Sequence, residues 1–272
     1  MPDLYAVIGN PISHSKSPLI HTAFARQTNQ SMHYDARLAP LDGFISAVEN
    51  FRRQGGKGLN VTVPFKLEAH HLSTHLTERA RIAQAVNTLK FENNEISGDN
   101  TDGVGLIRDI QSNLDIAIAA KRILLLGAGG AARGVILPLL QQNPALLAIA
   151  NRTLHKAEAL QQQFTSQGHI VAGDFMAFTD EKFDIIINAT SASLHNALPE
   201  IPIGIFSHAA LAYDMMYHHE LTHFLKFAHL HGAQQLADGI GMLVEQAAES
   251  FFIWRGIYPQ TRPVITMLKS RM

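Results

Sequence analysis

Arg122-Ile123-Leu124-Leu125-Leu126-Gly127-Ala128-Gly129-Gly130-Ala131-Ala132-Arg133-Gly134 is the stretch whose reading decides the fold. An apolar run of strand length ends in a glycine-rich turn, which opens into the helical pattern continuing through Val135-Ile136-Leu137. A dinucleotide-binding fold receives its pyrophosphate on such a strand, turn and helix. Gly127 permits the tight turn, and Gly129 lets backbone approach phosphate. Ala132 stands at the third fingerprint position, where glycine or alanine suits close helix packing. Amides at the helix start, from Gly130 and Ala131 onward, then face the anion. Glycine also serves tight turns for steric reasons alone, so the flanking strand and helix carry the inference. The turn begins past residue 120. A different unit is therefore built first, and the cofactor unit needs a partner across a cleft.

The end of the next strand narrows the cofactor. An NAD site usually places an acidic residue there for the ribose hydroxyls. This chain reads Ala148-Ile149-Ala150-Asn151-Arg152-Thr153, with Lys156 close behind. A carboxylate would repel a 2′-phosphate, whereas arginine binds it bidentately and threonine donates another bond. The pattern favours NADP(H) over NAD(H). The alternative is that Arg152 and Lys156 are solvated surface charges.

Outward from this stretch, strands alternate with helices. Leu4–Ile8, Met32–Leu38 and Gly58–Val63 read as strands, and Pro18–Gln27 and Leu41–Arg53 as helices. Ser17 is a plausible N-cap before Pro18. Thr88–Phe91 and Glu95–Ser97, joined at Asn93-Asn94, read as a hairpin on the sheet's edge. Asp102–Ile110 is a helix near the domain boundary. After it come strands 122–126, 146–150, 184–188, 210–214 and 233–236, with helices 130–142, 154–165, 221–229, 241–254 and 263–269. The expected architecture is α/β in two domains. Residues 1–101, completed by 238–272, form a substrate domain with a mixed, mostly parallel sheet. Residues 102–237 form a doubly wound, Rossmann-like cofactor domain.

Composition limits the function classes. The 272 residues include 46% hydrophobic side chains, enough for a full core, and the formal net charge is −1. No global field points to nucleic acid or a membrane surface. Without cysteine there are no disulfides, thiolate nucleophiles or cysteine metal sites. The N-terminus lacks a secretory pattern, and no apolar run reaches the roughly 18 residues of a membrane helix. A soluble, cytoplasmic protein is the expectation.

Hydride transfer to a carbonyl needs a proton donor and hydrogen bonds that orient the substrate. Three segments supply such groups at element ends: Ser13–Pro18, Asn60–Lys66 and Asn100–Gly103. With Gly9–Pro18 (GNPISHSKSP), NVTVPFK at 60–66, AVNTL at 85–89, DNTDG at 99–103, LLGAGGAARG at 125–134, NRT at 151–153, INATS at 187–191, DMMY at 214–217 and DGIGMLVEQ at 238–246, the chain closely resembles the shikimate dehydrogenase family. The resemblance spans nearly the whole chain, with nine motifs in register.

That resemblance implies reversible NADPH-dependent reduction of 3-dehydroshikimate to shikimate, a step of chorismate and aromatic amino-acid biosynthesis. Lys66 and Asp102 match the catalytic pair. Lysine can donate a proton to the carbonyl oxygen, and the aspartate can orient the ammonium. A nearby carboxylate favours protonated lysine while burial favours the neutral form, a competition that sequence leaves open. Ser15 and Ser17 match contacts to the substrate carboxylate. Asn60, Thr62, Asn87, Tyr217 and Gln246 match the other substrate contacts, beside Lys66 and Asp102 themselves. Gly127, Ala128, Gly129, Gly130, Ala131, Ala132, Asn151, Arg152, Thr153 and Lys156 match the cofactor's phosphate and ribose side. Thr190, Ser191, Met215, Gly239 and Met242 match the nicotinamide end. Each has an ordinary alternative taken singly: Lys66 as a surface lysine, Asp102 as a helix cap, Met242 as core. No metal is expected, and the protein is expected to act as a monomer or homodimer on a small molecule.

Two departures from the family pattern stand out. Ser193 lies where glycine is common, and His218-His219 where an asparagine–proline pair is common. His219-Glu220-Leu221-Thr222-His223 also matches the HExxH pattern of zinc hydrolases, with His229 at third-ligand spacing. Lys226 stands where that pattern needs glycine, and a helix through 221–229 would aim His229 off the His219–His223 face. The rival readings are thus a quinate/shikimate dehydrogenase paralogue, a non-catalytic NADP-binding sensor and, last, a zinc hydrolase.

Overall fold

The structure is a computed structural model, and it describes residues 1–190, 192, 197–206 and 211–271. Two compact units are present. One comprises Met1–Gly105 and Leu243–Met267, the other Leu106–Met242 and Leu268–Met272. Asp102, the residue at which the sequence reading began the cofactor domain, therefore belongs to the first unit, three residues before that segment ends at Gly105. Its helix starts on hydrogen bonds to that unit's own Asn100 and Asn87.

The first unit runs β1 (Asp3–Gly9), α1 (Ser17–Gln27), β2 (Met32–Leu38), α2 (Phe44–Arg53), β3 (Gly56–Val61), α3 (Lys66–Leu72), β4 (His75–Leu76), α4 (Glu78–Ala83), β5 (Thr88–Glu92), β6 (Glu95–Asp99) and α5 (Asp102–Arg108). Its sheet has the order β2-β1-β3-β5-β6-β4. β2, β1 and β3 are parallel, and β5 joins β3 antiparallel. The β5–β6 hairpin turns on Asn93 and Asn94, both with positive φ, which asparagine tolerates and a tight hairpin requires. The hairpin is not the edge: β4 pairs with β6 beyond it. Two residues leave no alternation to read, so β4 is invisible in the sequence. Pro18 stands second in α1, Lys16 holds the cap position, and Ser17 is a helical residue buried at 7% exposure.

Alternation along β1 divides the core of this unit. Ala6 and Ile8 face Phe44, Val48, Phe51, Leu59 and Phe65, on the α2–α3 side. Tyr5 and Val7 face Tyr34 and Trp254. Trp254 belongs to α9 (Ile240–Arg255), and its indole Nε1 donates to Leu89 O at 3.0 Å. Gly58 leaves room for that ring: a Cβ there would fall 2.4 Å from the indole nitrogen.

The second unit runs from a π-helical turn at Asp109–Asn113 through β7 (Arg122–Leu126), α6 (Gly130–Leu140), β8 (Leu146–Ala150), α7 (Leu154–Phe164), β9 (Ile170–Gly173), β10 (Ile185–Asn188), β11 (Leu211–Asp214), α8 (His223–Leu230) and β12 (Gln235–Ala237) into α9; α10 (Arg262–Lys269) closes the chain. The sheet order is β9-β8-β7-β10-β11-β12, parallel throughout. Taken from β7 as first strand, this is the doubly wound order 3-2-1-4-5-6, whose direction reverses between β7 and β10. The inner strands are buried on both faces, hence continuous apolar runs such as Ile185–Ile187 and Leu146–Ala150. β9 has only the short run Ile170-Val171-Ala172 before Gly173, and the sequence reading missed it. Ala210 lies outside the described residues. No described helix is long and apolar enough to cross a membrane.

One buried ionisable group in the first unit makes acid sensitivity testable. His21 of α1 is fully buried, stacked on Tyr34 with ring centroids 4.2 Å apart. Neither ring nitrogen makes a hydrogen bond of full geometry, although Asn60 lies close enough to oppose the shift slightly. Burial lowers the His21 pKa from 6.5 to about 3. Below pH 6.5 the unfolded chain takes up a proton that the native state refuses until about pH 3. Native stability from this group is thus complete above the unfolded value and declines by about 1.4 kcal/mol per pH unit beneath it. His21→Leu removes that dependence. In urea titrations the stability difference between wild type and variant is expected to shrink as pH falls from about 7 to about 4; a constant difference would assign the acid sensitivity elsewhere.

Candidate active site

In the first unit, the loop after β6 and the start of α3 bring an ammonium to a carboxylate. Lys66, the first residue of α3, donates from Nζ to Asp102 Oδ2 at 2.5 Å. Lys66 is half-buried at 25% side-chain exposure and Asp102 buried at 11%, so the pair keeps solvent access on the lysine side while the carboxylate is largely screened. The other carboxylate oxygen, Oδ1, accepts from Asn87 Nδ2 at 2.8 Å. Asp102 thus has one oxygen for lysine and one held by an amide, which prevents the carboxylate from turning.

Asn87 is the node of this cluster. Its Nδ2 also reaches Thr101 Oγ1 at 2.9 Å and Gln246 Oε1 at 3.3 Å, and its Oδ1 accepts from Thr101 N and Thr88 Oγ1, both at 2.9 Å. Asn60 sits beside it. Tyr34 OH donates to Asn60 Oδ1 at 2.7 Å, and Asn60 Nδ2 donates to Asn87 O at 3.2 Å and Ser250 Oγ at 3.0 Å. The Asn60 amide hydrogens are therefore committed internally, and its oxygen is the atom left with capacity to accept from a ligand hydroxyl.

Ser15 and Ser17 lie at the start of α1, where Ser15 Oγ accepts from Ser17 N at 3.3 Å. Thr62 follows β3 and packs its methyl where a Cβ on Gly9 would stand, 2.4 Å away. The structure thus joins Lys66, Asp102, Asn87, Asn60 and Gln246 in one hydrogen-bonded cluster. Tyr217 belongs to the second unit, where burial raises its phenol pKa above the usual value.

The second unit carries the cradle. Gly127 has φ +108°, and a Cβ there would press within 3.2 Å of the Ala189 backbone at the end of β10. Gly127 N donates to Ala150 O at 2.7 Å, closing the turn against β8. A Cβ on Gly129 or Gly130 would meet nothing within 4 Å, so the space over the turn is open to a ligand. Gly129 caps α6, Gly130, Ala131 and Ala132 begin it, and their amides lack helical carbonyls to bond. Ala132 is buried against the sheet and Ala128 half-exposed. At the end of β8, Asn151 Nδ2 donates to Thr153 O at 2.8 Å, bending the chain so that Arg152 and Lys156 stand exposed, outside every ion pair among the described residues. An open glycine turn beside two unengaged cations fits a phosphorylated dinucleotide.

Thr190 follows β10, Met215 follows β11, and Gly239 precedes α9; a Cβ on Gly239 would fall 2.2 Å from Met215 O, so only glycine allows that approach. Met242 is buried at 7% exposure. Ser191 and Ser193 lie outside the described residues.

The family model for the shikimate dehydrogenase substrate binding domain matches residues 7–89, that for shikimate / quinate 5-dehydrogenase matches 109–198, and that for the shikimate 5′-dehydrogenase C-terminal domain matches 239–266. The shikimate dehydrogenase (NADP(+)) of Nitrosospira multiformis is 62% identical over 272 residues, covering 100% of this chain and 99% of that protein. The chain belongs to the shikimate dehydrogenase family. Among solved structures, an Ael1 enzyme from Pseudomonas putida is 51% identical with a TM-score of 0.93, covering 98% of each chain. Shikimate 5-dehydrogenase from Thermus thermophilus, in complex with NADP(H) and shikimate, is 28% identical with a TM-score of 0.89, covering 99% of this chain and 100% of that one.

Sequence reading misses the groups that hold this polar cluster from behind. Asp99 accepts from Arg79 Nε at 2.6 Å, Thr77 Oγ1 at 2.6 Å and Asn100 N at 2.7 Å; Arg79 Nη2 also reaches Glu249 Oε1 at 2.9 Å, and Tyr258 OH donates to Glu249. This network anchors the strand end from which Asp102 follows. The only sequence signal was the density of polar residues in Asp99–Asp102.

One expected element is corrected. The helix containing HExxH starts at His223, capped by Thr222 Oγ1, which accepts from Leu225 N at 3.2 Å. His219 and Glu220 precede it, so His219 and His223 do not share a helix face, and Glu220 pairs with Lys226 Nζ at 2.8 Å. Threonine as N-cap outcompetes extension of the helix to Leu221.

Gly127→Ala forces a left-handed φ on alanine, at about 1–2 kcal/mol, and crowds the Ala189 backbone. Urea unfolding is expected to show that loss or more; an unchanged midpoint would show that the turn relaxes freely.

Proposed function

We propose that the chain catalyses the reversible NADPH-dependent reduction of 3-dehydroshikimate to shikimate. The observation that carries the reading is the Lys66–Asp102 contact at 2.5 Å inside a polar cluster built for a small hydroxylated acid. Bound NADPH supplies the hydride to the substrate's carbonyl carbon. Lys66 Nζ, whose other hydrogens point away from Asp102, donates a proton to the carbonyl oxygen as negative charge develops there. Asp102 Oδ2 holds the ammonium in line, and Asn87 holds the opposite oxygen so that the carboxylate stays aimed. In the reverse direction Lys66 receives the hydroxyl proton.

Substrate holding falls to short polar groups. Ser15 and Ser17 hydroxyls take the carboxylate, helped by the start of α1. Asn60 Oδ1, Thr62, Asn87, Gln246 and Tyr217 take the remaining contacts to the carboxylate or the ring hydroxyls. Such a site discriminates against analogues lacking a hydroxyl, because a buried donor or acceptor is then left unpaired.

Cofactor holding is divided in the same manner. The Gly127–Ala132 amides take the pyrophosphate, and Asn151, Arg152, Thr153 and Lys156 take the 2′-phosphate and its ribose. Thr190, Ser191, Met215, Gly239 and Met242 line the nicotinamide. The setting is cytoplasmic, with the enzyme acting as a monomer or homodimer on a small molecule.

The decisive assay is NADPH oxidation with 3-dehydroshikimate, run beside NADP and NAD reduction with shikimate and quinate. Turnover with 3-dehydroshikimate and NADPH is expected; none with any pair would leave a binding protein. Lys66→Ala is expected to lower kcat by roughly 10²–10⁴-fold with little change in KM for substrate. Unchanged kcat would remove Lys66 from the mechanism. Arg152→Ala is expected to raise KM for NADPH about tenfold to hundredfold while leaving NADH unaffected, because only the phosphorylated cofactor loses a charge-assisted bond. An equal rise for both cofactors would refute the 2′-phosphate contact.

A further inference from the structure

In the second unit, a carboxylate with no role in the proposed reaction is buried beside the cofactor residues. Asp214 ends β11 and is fully buried. Its two oxygens face different partners. Oδ2 accepts from Thr222 Oγ1 at 2.6 Å, next to the cap of α8. Oδ1 accepts from Asn188 Nδ2 at 3.1 Å and from Met216 N at 3.1 Å. Asn188 ends the neighbouring strand β10, and because its amide nitrogen is committed to the carboxylate, its Oδ1 must point the opposite way. There it accepts from Thr190 N at 3.1 Å and Thr190 Oγ1 at 2.7 Å. Met215 N donates to Asn188 O at 3.0 Å, and Gly239 N donates to Met216 O at 3.0 Å.

We infer that Asp214 is the positioning residue for the nicotinamide side of the cofactor site, setting Thr190 through the Asn188 amide and Met215 through the Met216 backbone. The inference rests on the reading of Thr190 and Met215 as nicotinamide contacts. A carboxylate accepts at both oxygens and offers no hydrogen, so it admits one orientation of the Asn188 amide. With that orientation set, the Thr190 hydroxyl hydrogen is committed to Asn188, and its oxygen, which accepts from Ala192 N at 3.4 Å, keeps one further lone pair as an acceptor. Burial makes the arrangement costly to leave, since any unpaired group in it has no water to turn to.

The division of labour between the two oxygens supplies the test. Steady-state kinetics and fluorescence titration with NADPH are run beside inhibition by the adenosine bisphosphate that corresponds to the cofactor's phosphorylated half. Asp214→Ala is expected to raise KM for NADPH and lower kcat, each about tenfold, with affinity for the adenosine fragment within about twofold of wild type. Asp214→Asn, whose oxygen can replace Oδ1 while its amide faces Thr222, is expected to recover most of that loss. Thr222→Ala removes the Thr222 hydroxyl from Oδ2 together with the α8 cap; it is expected to lower Tm while leaving the cofactor constants within about twofold. Should Asp214→Ala fail to fold, Asn188→Ala breaks the link to Thr190 with the carboxylate in place and is expected to reproduce the nicotinamide-side loss. Cofactor constants unchanged in both Asp214→Ala and Asn188→Ala, or equal losses for NADPH and the adenosine fragment, would overturn the inference. A loss in those variants with none in Thr190→Val and Met215→Ala would instead overturn the reading of Thr190 and Met215 as nicotinamide contacts.

Discussion

An ammonium and a carboxylate that meet at 2.5 Å while half removed from water need every remaining hydrogen-bonding site around them satisfied. Much of the first unit follows from that demand at Asp102. Asn87 takes the second carboxylate oxygen, Asn100 takes the backbone amide, and Thr101 closes back on Asn87. Behind them Arg79 joins Asp99 to Glu249, fastening the end of β6 to α9. The hairpin β5–β6 lies inside the sheet rather than at its edge, which gives the strand end carrying Asp99–Asp102 neighbours on both sides.

The second unit answers a different demand, the close approach of backbone to a charged ligand. Gly127 and Gly239 each occupy a place where a side chain would collide with another strand's main chain, at Ala189 and Met215 respectively. Their partners lie at the carboxyl ends of β10, which adjoins β7 on the side where strand order reverses, and of β11 next to it. Asn188 and Asp214 cross-brace those two strand ends through side chains. The glycines thus make room while the buried polar pair prevents the loops from filling it.

Much of this organisation was legible because it follows from local rules. Four apolar residues before Gly127, a left-handed turn and an apolar helix announce β7, the cradle and α6. Asn93-Asn94 announces its hairpin by the same logic, since both residues must adopt positive φ. The failures were equally physical. β4 is two residues long, too short for a period to register, and β9 offers only Ile170-Val171-Ala172 before a glycine. The apolar spacing of Leu221, Phe224, Leu225 and Ala228 suggested a helix from Leu221, but the hydroxyl of Thr222 caps the chain one residue later. Ser17 reads as a cap from its neighbour Pro18, yet tertiary burial makes it part of the helix.

The sequence by itself determined the α/β alternation, the glycine turn, the cationic strand end at Arg152 and Lys156, and which residue types could carry the chemistry. These depend on backbone sterics, periodicity and charge, which act within a few residues. Only the tertiary structure decided which polar groups are partners. Arg79 meets Glu249 across 170 positions, Thr88 meets Ser250 across 162, and Asn188 meets Asp214 across 26. No local rule relates such pairs, because what selects them is burial: once the strands and α9 pack, each polar atom taken out of water must find the donor or acceptor that folding has brought beside it.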